Sequence, residues 1–285
     1  MTVAADGLTV SLILLAALLH ASWNALAKAS GDPMVNLAVV MSTGGVIALP
    51  FVLLQPLPGP EVWIWLGLSA GIHFAYQIAL TRLYALGELS QVYPIARGLA
   101  PLGVAAVAFV GAGEALPAHR VLGLLIASAA LIVLGRSGRP GRQRSAAVAT
   151  ALVTAVLIVG YTYSDARGVR AALRPEYYIA WSFVLGCVPF ALATVWLRGR
   201  EGLVALRRDG ARAVGGGVMA TVGYAIALWA YARAPMASVV SLRESSVLFA
   251  ALIGAWWLRE PFGLARSLAA SGLVVGLLLV QWPER

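Results

Sequence analysis

The sequence predicts an all-α polytopic membrane protein: ten transmembrane helices, arranged as two inverted five-helix repeats around a central cavity. Three observations lead there. Only 12% of the 285 residues are charged and 60% are hydrophobic, against about 25% charged in ordinary soluble domains, so the chain cannot cover a soluble surface. Apolar stretches near the length a bilayer demands, about 20 residues, recur ten times. Charged positions in the first half recur in the second at one fixed shift.

Composition also excludes classes of function. A net charge of +9 and a pI near 10.3 would suit a nucleic-acid binder if the chain were soluble. With a mean hydropathy of +0.84 and loops too short to hold a soluble domain, the charge serves membrane topology, and no nucleic-acid partner is expected. The single cysteine, Cys187, excludes an internal disulfide and any multi-cysteine metal site, and reads as a small filler of the seventh span. No His/Cys/Asp/Glu group has metal-ligand spacing, and no glycine-rich phosphate loop with its lysine follows a strand. Neither a metal nor any other cofactor is expected, nor ATP-driven transport by this chain alone.

The spans follow in order. Leu8–Ala27 opens the series and is expected to stay in the mature protein, because Met1–Gly7 lacks a basic region and no small-residue cleavage site follows before His20 and Trp23. Val35–Leu54 and Val62–Leu83 are set off by the breakers Gly31-Asp32-Pro33 and Gln55-Pro56-Leu57-Pro58-Gly59-Pro60. Leu89–Val110 and Arg120–Leu134 complete the first repeat, and Gly138-Arg139-Pro140-Gly141 marks the boundary between residues 1–139 and 140–285. The second repeat holds Ala147–Arg167, Tyr177–Leu197, Ala211–Ala232, Ser238–Leu258 and Gly263–Trp282. Trp63, Trp65, Tyr177, Tyr178, Trp196, Trp256, Trp257 and Trp282 gather at span ends, where such rings anchor helices in the membrane interface. Odd-numbered loops and their flanks carry thirteen lysines and arginines; even-numbered loops and the C-terminal tail carry six. The positive-inside rule therefore places both termini outside, with Arg167, Arg170 and Arg174 running against the bias.

The halves match in detail. Arg97, Glu114 and Arg120 have the spacing of Arg243, Glu260 and Arg266, at a shift of 146 residues. Tyr76, Ile78, Ala79 and Leu80 match Tyr224, Ile226, Ala227 and Leu228 at a shift of 148, a difference that a loop absorbs. A unit of five spans ends on the opposite side from its start, so the second copy is inserted upside down. Inverted repeats of this kind are the architecture of alternating-access transporters, whose substrate site lies near the midplane between the repeats.

Three stretches now resemble a known family. They are His20-Ala21-Ser22-Trp23-Asn24-Ala25-Leu26-Ala27-Lys28, Val92-Tyr93-Pro94-Ile95-Ala96-Arg97-Gly98-Leu99-Ala100-Pro101, and the glutamates Glu114 and Glu260 closing spans four and nine. Together they resemble the EamA-type branch of the drug/metabolite transporter superfamily, along the whole chain. The resemblance implies a ten-helix basket with a cavity lined mainly by spans one, three, four, six, eight and nine. It also implies a cargo among those of the superfamily: amino acids and other metabolites, sugars and sugar phosphates, or drugs. The first span departs from the small multidrug exporters, which carry a membrane-embedded glutamate there. Here it has His20 and no carboxylate, which argues against proton-coupled drug antiport by that device.

Polar side chains at bilayer depth are costly, about 2.5–3.5 kcal/mol for a central arginine on insertion scales, so each needs a partner, a wet cavity or a task. His20, Trp23 and Asn24 fall on one helix face, and Tyr161, Ser164 and Asp165 repeat that pattern in span six. His73, Tyr76 and Gln77 do the same in span three, and Tyr93 lies one turn from Arg97 in span four. These stripes suit a zwitterion or weak anion with an apolar or aromatic body: guanidinium for carboxylate, amide and imidazole for hydrogen bonds, ring faces for a cation or side chain. The competing reading is interhelical glue.

Arg97, beside Pro94, Gly98 and Pro101, is the first choice for anion contact in a kinked helix. Its counterpart Arg243 is followed by Glu244; sequence neighbours do not share a helix face, so the two bond elsewhere, as a structural tie or gate. Glu114 and Glu260 read as structural carboxylates at span ends. The candidate substrate-binding set is His20, Trp23, Asn24, His73, Tyr76, Gln77, Tyr93, Arg97, Tyr161, Asp165, Tyr224 and Arg243. Gly67-Leu68-Ser69-Ala70-Gly71 matches a Gly-x-Ser-x-Gly nucleophile motif, but Gly67 and Gly71 also form a GxxxG helix-packing pair, and the strand–turn–helix context is absent.

The sequence thus predicts no enzyme but a multi-pass carrier of the bacterial inner membrane, its origin read from twenty arginines against one lysine. It would move small metabolites by alternating access, one repeat rocking on the other, with export of an aromatic or large neutral amino acid as the first choice. Sugars, organic anions and cationic drugs are the alternatives within transport; a lipid-flippase component and an intramembrane hydrolase lie outside it. Its partners are the substrate and the lipid bilayer, with monomer and homodimer both open.

Overall fold

Breakers in the sequence become helix boundaries. Asp32 holds an extended backbone, and its carboxylate accepts the N–H groups of Met34 and Val35 at 2.9 and 3.2 Å, with Pro33 at the first helical position. That is the expected capping chemistry of a helix start. The computed structural model describes residues 6–28, 30–86, 89–136, 144–256 and 264–282. The helices are α1 (Gly7–Lys28), α2 (Pro33–Leu53), α3 (Pro60–Leu86), α4 (Leu89–Ala112), α5 (Ala118–Arg136), α6 (Arg144–Ala171), α7 (Pro175–Tyr231), α8 (Met236–Arg243), α9 (Ser246–Trp256) and α10 (Leu264–Gln281). Among the described residues there is no strand. Glu260, Trp257 and the breaker at 138–141 lie outside the described residues, as do the side chains of Tyr93, Trp256 and Arg266.

Six helices, α1, α2, α3, α4, α6 and α7, are long and apolar enough to cross a membrane, and Ala118–Val133 and Ser267–Gln281 are shorter apolar stretches. The ten expected spans differ from this in two places. Spans seven and eight run together in α7, because the connection Arg200–Gly210 is itself helical and the chain turns only at Gly199, where φ is +45°. A positive φ is a conformation that glycine adopts without penalty. Span nine breaks into α8 and α9 at Glu244–Ser245. The hydroxyls of Ser241 and Ser245 donate to the carbonyls of Ala237 and Leu242, and the Ser245 N–H bonds to Leu242 as well, so the polar groups at the break are satisfied locally. By contrast, α4 runs through Pro94 without an assigned break.

Packing divides the helices differently from the sequence halves. α2 packs most extensively on α7, and α1 also lies on α7; α3 and α4 pack on α6; α5 packs on α4 and α10. At the α5–α10 crossing, a Cβ on Gly123 would sit 2.6 Å from the Gly276 carbonyl oxygen, so the two backbones touch there. Gly67 and Gly71 have nothing within 4 Å of a Cβ. The expected GxxxG contact is therefore not made among the described residues, because that face of α3 points outward.

Polarity is inverted relative to a water-soluble protein. Val46, Leu53, Leu54, Val110, Val156 and Trp196 are each at least 70% exposed, while Arg97, Asp165, Glu244 and Ser69 are buried. A hydrocarbon surround satisfies both facts, since lipid tails solvate the outer side chains and the polar groups bond to each other inside.

Candidate functional site

The stripes on α1 and α3 converge on a central cavity of ≈ 130 Å³, a size that holds one small organic molecule. α1 contributes Ala16, His20 and Trp23, and α3 contributes His73, Tyr76, Gln77 and Leu80. Tyr161 of α6 and Arg243 of α8 face them, and α7 supplies Phe183, Thr221 and Tyr224. Leu37, Val40, Met41 and Gly44 of α2 complete the wall. The lining comes from the later parts of α1 and α3 and the early part of α2, so the cavity runs from mid-helix toward the ends joined by Ser30–Asp32.

Eight of the twelve candidate residues line this space: His20, Trp23, His73, Tyr76, Gln77, Tyr161, Tyr224 and Arg243. Tyr93 lies on α4 with its side chain outside the described set. Asn24 donates from Nδ2 to the His20 carbonyl one turn back, at 2.7 Å. Arg97 and Asp165 are buried behind the wall rather than on it.

Arg97 was the first choice for anion contact, and the structure places it elsewhere. Its Nε donates to Glu244 Oε2 at 3.0 Å, and Nη2 reaches the Ser246 hydroxyl and the Arg243 carbonyl at 3.4 and 3.5 Å. The break after Arg243 explains the exchange of roles. With the helix interrupted, Glu244 turns toward α4 while Arg243 points into the cavity, its guanidinium carbon 5.3 Å from the centre of the Tyr224 ring. The lining expected from the family resemblance is altered to match: among the described residues α4 lends no side chain, and α2 and the first run of α7 are added.

Asp165 is the hub of the second polar cluster. Its Oδ1 accepts the Ser69 hydroxyl at 2.5 Å and the Tyr178 hydroxyl at 2.7 Å; its Oδ2 accepts the Tyr224 hydroxyl at 2.5 Å and lies 3.2 Å from His73 Nε2. Hydrogen bonds of this kind keep a buried carboxylate tolerable in a low-dielectric interior. Tyr178, expected at the membrane interface, is fully buried here, and sequence reading missed it. Gly168 makes room, since a Cβ there would meet the Tyr178 ring at 2.1 Å. The hydrolase geometry is not met. Asp165 sits between Ser69 and His73, so the serine hydroxyl bonds to the carboxylate instead of a histidine base, and Ser69 is 2% exposed.

Cavity electrostatics follow from these two clusters. Besides the tyrosines, the ionisable lining groups are His20, His73 and Arg243, and no carboxylate lines it among the described residues. Trp23 Nε1 donates to His20 Nδ1 at 3.3 Å, which requires that nitrogen to be unprotonated. His73 stacks on Tyr161 with ring centres 4.2 Å apart. Gln77 Oε1 is buried with no hydrogen-bond partner among the described residues, an acceptor ready for a ligand N–H.

The far end of the molecule is closed by a clasp. Glu114, between α4 and α5, accepts Arg170 Nη1 on Oε1 and the Met236 N–H on Oε2, while Arg170 Nε and Nη2 donate to the carbonyls of Tyr231 and Ala234. Sequence reading gave Glu114 a structural role without locating its partners.

Residues 146–282 match the model of the EamA-like transporter family. Among solved structures, one described only as a protein crystal structure is similar over 95% of this chain and 94% of its own, with a TM-score of 0.69 and 19% identity. At that identity the likeness speaks for the fold alone. No curated protein matches the chain. The family likeness therefore lies in the second half of the chain, over residues 146–282.

Proposed function

We propose that the protein is a secondary transporter that exports amino acids by alternating access across a bacterial inner membrane. The family that residues 146–282 match is one of membrane transporters rather than enzymes, which supports a small-molecule cargo and a bilayer; the identity of the cargo, the direction and the mechanism are the proposal. One observation carries the cargo: among the described residues the cavity offers a guanidinium, aromatic faces and an unpartnered amide oxygen, with no carboxylate on its wall. Arg243 takes the ligand's carboxylate, Gln77 Oε1 an ammonium N–H, and Trp23, Phe183 and Tyr76 an apolar or aromatic side chain.

Packing supports two inverted five-helix repeats. The α3–α6 and α1–α7 crossings exchange under such a symmetry, and α5–α10 maps onto itself; all three are extensive. The cavity lies between an α1–α2–α7 group and an α3–α4–α6 group, and these, drawn from both repeats, are the bodies that rock. With both termini outside, the clasp at Glu114 closes the outer face and the cavity faces the cytoplasm.

Counterflow in proteoliposomes tests the cargo. Labelled L-phenylalanine should exchange saturably, competed by L-tryptophan and L-leucine but not by glucose, citrate or a cationic dye. Competition by one of those three without amino-acid exchange overturns the assignment.

A further inference from the structure

We propose that His73 and Asp165 form the proton site of this carrier, and that a proton and the ammonium group of the ligand compete for it, so that export is driven by proton entry. The inference rests on the amino-acid reading above and adds what drives the movement.

The bonding pattern fixes which nitrogen can take the proton. His73 Nε2 lies 3.2 Å from Asp165 Oδ2 and 3.2 Å from the Tyr224 oxygen. Tyr224 spends its hydroxyl proton on Asp165, so both neighbours present lone pairs and Nε2 carries its hydrogen in either charge state. The ring lines the cavity, and its remaining nitrogen, Nδ1, has a lone pair with no hydrogen-bond donor on it among the described residues. A proton that arrives there bonds to that lone pair, Asp165 stays ionised, and no other bond breaks. An ammonium N–H of the ligand can donate to the same lone pair, but not while a proton occupies it.

Charge reinforces the competition. Arg97 and Glu244 neutralise each other within their ion pair, which leaves Arg243 and Asp165 as the fixed charges beside the cavity among the described residues. The other titratable groups around His73 are Tyr76 on its own helix, Tyr161 on α6, Tyr178 and Tyr224 on α7, and His20 across the cavity on α1. With His73 neutral, the His73–Asp165 pair carries one negative charge and attracts an ammonium. With His73 protonated, the pair is neutral and the attraction is gone.

The matching crossing shows that this chemistry is not required for packing. Under the 148-residue shift His73 corresponds to Thr221, and the α1 stripe puts Asn24 where α6 has Asp165. That crossing forms from neutral residues, with the Thr221 hydroxyl bonded to its own helix.

The first test needs no ligand. The chain has three histidines, so ¹⁵N-histidine spectra of the protein in lipid nanodiscs identify His73 once His20→Gln and His119→Gln have removed the other two signals. The expected result is a hydrogen fixed on Nε2 and a proton gained at Nδ1 as the pH is lowered; an Nε2 without hydrogen, or an Nδ1 that carries its hydrogen whatever the pH, overturns the proposal. In the second test, proteoliposomes with an acidic interior should accumulate labelled L-phenylalanine above its outside concentration. Accumulation only with an acidic exterior, or none in either gradient despite counterflow, overturns it. His73→Gln should lose accumulation in the acidic-interior vesicles, and any counterflow it keeps should no longer weaken as the pH falls on both sides, a loss of pH response that a merely structural role does not produce; a well-folded variant that accumulates L-phenylalanine like the parent, or keeps the parent's pH profile, overturns it. If wild-type protein shows no L-phenylalanine counterflow, the cargo reading has failed and the histidine titration alone decides the proton site.

Discussion

Replacing Glu114 with alanine should unfasten the clasp without touching the cavity. The carboxylate does two jobs. Oε2 accepts the Met236 N–H at 2.8 Å, one of the orphan donors at the start of α8, where the preceding residue Pro235 offers no side-chain cap. Losing such a cap costs about 1 kcal/mol. Oε1 pairs with Arg170, whose side chain is 31% exposed against 8% for Glu114. A fully buried pair broken from one side costs about 3–5 kcal/mol, but partial solvation of Arg170 brings this nearer to about 1–2 kcal/mol. The sum is about 2–3 kcal/mol, read as a fall in thermal midpoint of the purified protein in detergent. Glu114→Gln keeps an acceptor for Met236 and loses the charge, so it should recover about 1 kcal/mol of the loss. A Glu114→Ala protein within about 0.5 kcal/mol of the parent, the level of an ordinary surface change, would refute the reasoning. In the carrier reading the same variant also admits a membrane-impermeant thiol reagent to a cysteine placed at Ser182, from the face that the clasp closes.

Three further outcomes rest on separate parts of the structure. Gly123→Val should destabilise by about 1–3 kcal/mol through overpacking at the α5–α10 crossing, whereas Gly67→Ala, with open space around its Cβ, should be neutral or slightly stabilising; paired thermal melts check both. Arg243→Gln should abolish L-phenylalanine counterflow while the protein stays monodisperse in detergent, and full counterflow by that variant would remove its carboxylate role. Arg198→Ala breaks the half-exposed pair with Asp32 and should cost under about 1 kcal/mol, an effect that shrinks further as salt is raised in the melt.

Much of the fold was legible because its causes are local. Asp32-Pro33 specifies a helix start wherever it occurs, and about 20 apolar residues are committed to a bilayer by composition alone. The stripes were legible for the same reason. Helical periodicity puts His20 with Trp23, and His73 with Tyr76 and Gln77, on one face whatever lies opposite, and all five line the cavity. Other features depend on what lies across a helix interface. Periodicity could not tell which of two repeat-related arginines would find a carboxylate, because Glu244 became available to Arg97 only when its helix broke after Arg243. Tyr178 looked like an interface ring because it stands four residues into its helix; the space at Gly168 and the acceptor at Asp165 drew it inward.

The sequence by itself determined the solvent, the helical class and the faces that carry polar groups, since these follow from transfer free energy and a period of 3.6 residues. Only the tertiary structure decided that Arg243 faces the cavity while Arg97 is tied to Glu244, that Asp165 gathers four donors behind the wall, and that the packed groups mix both halves of the chain. Those outcomes depend on the depth and crossing of helices far apart in sequence, where a buried charge takes whichever partner the packing brings within reach.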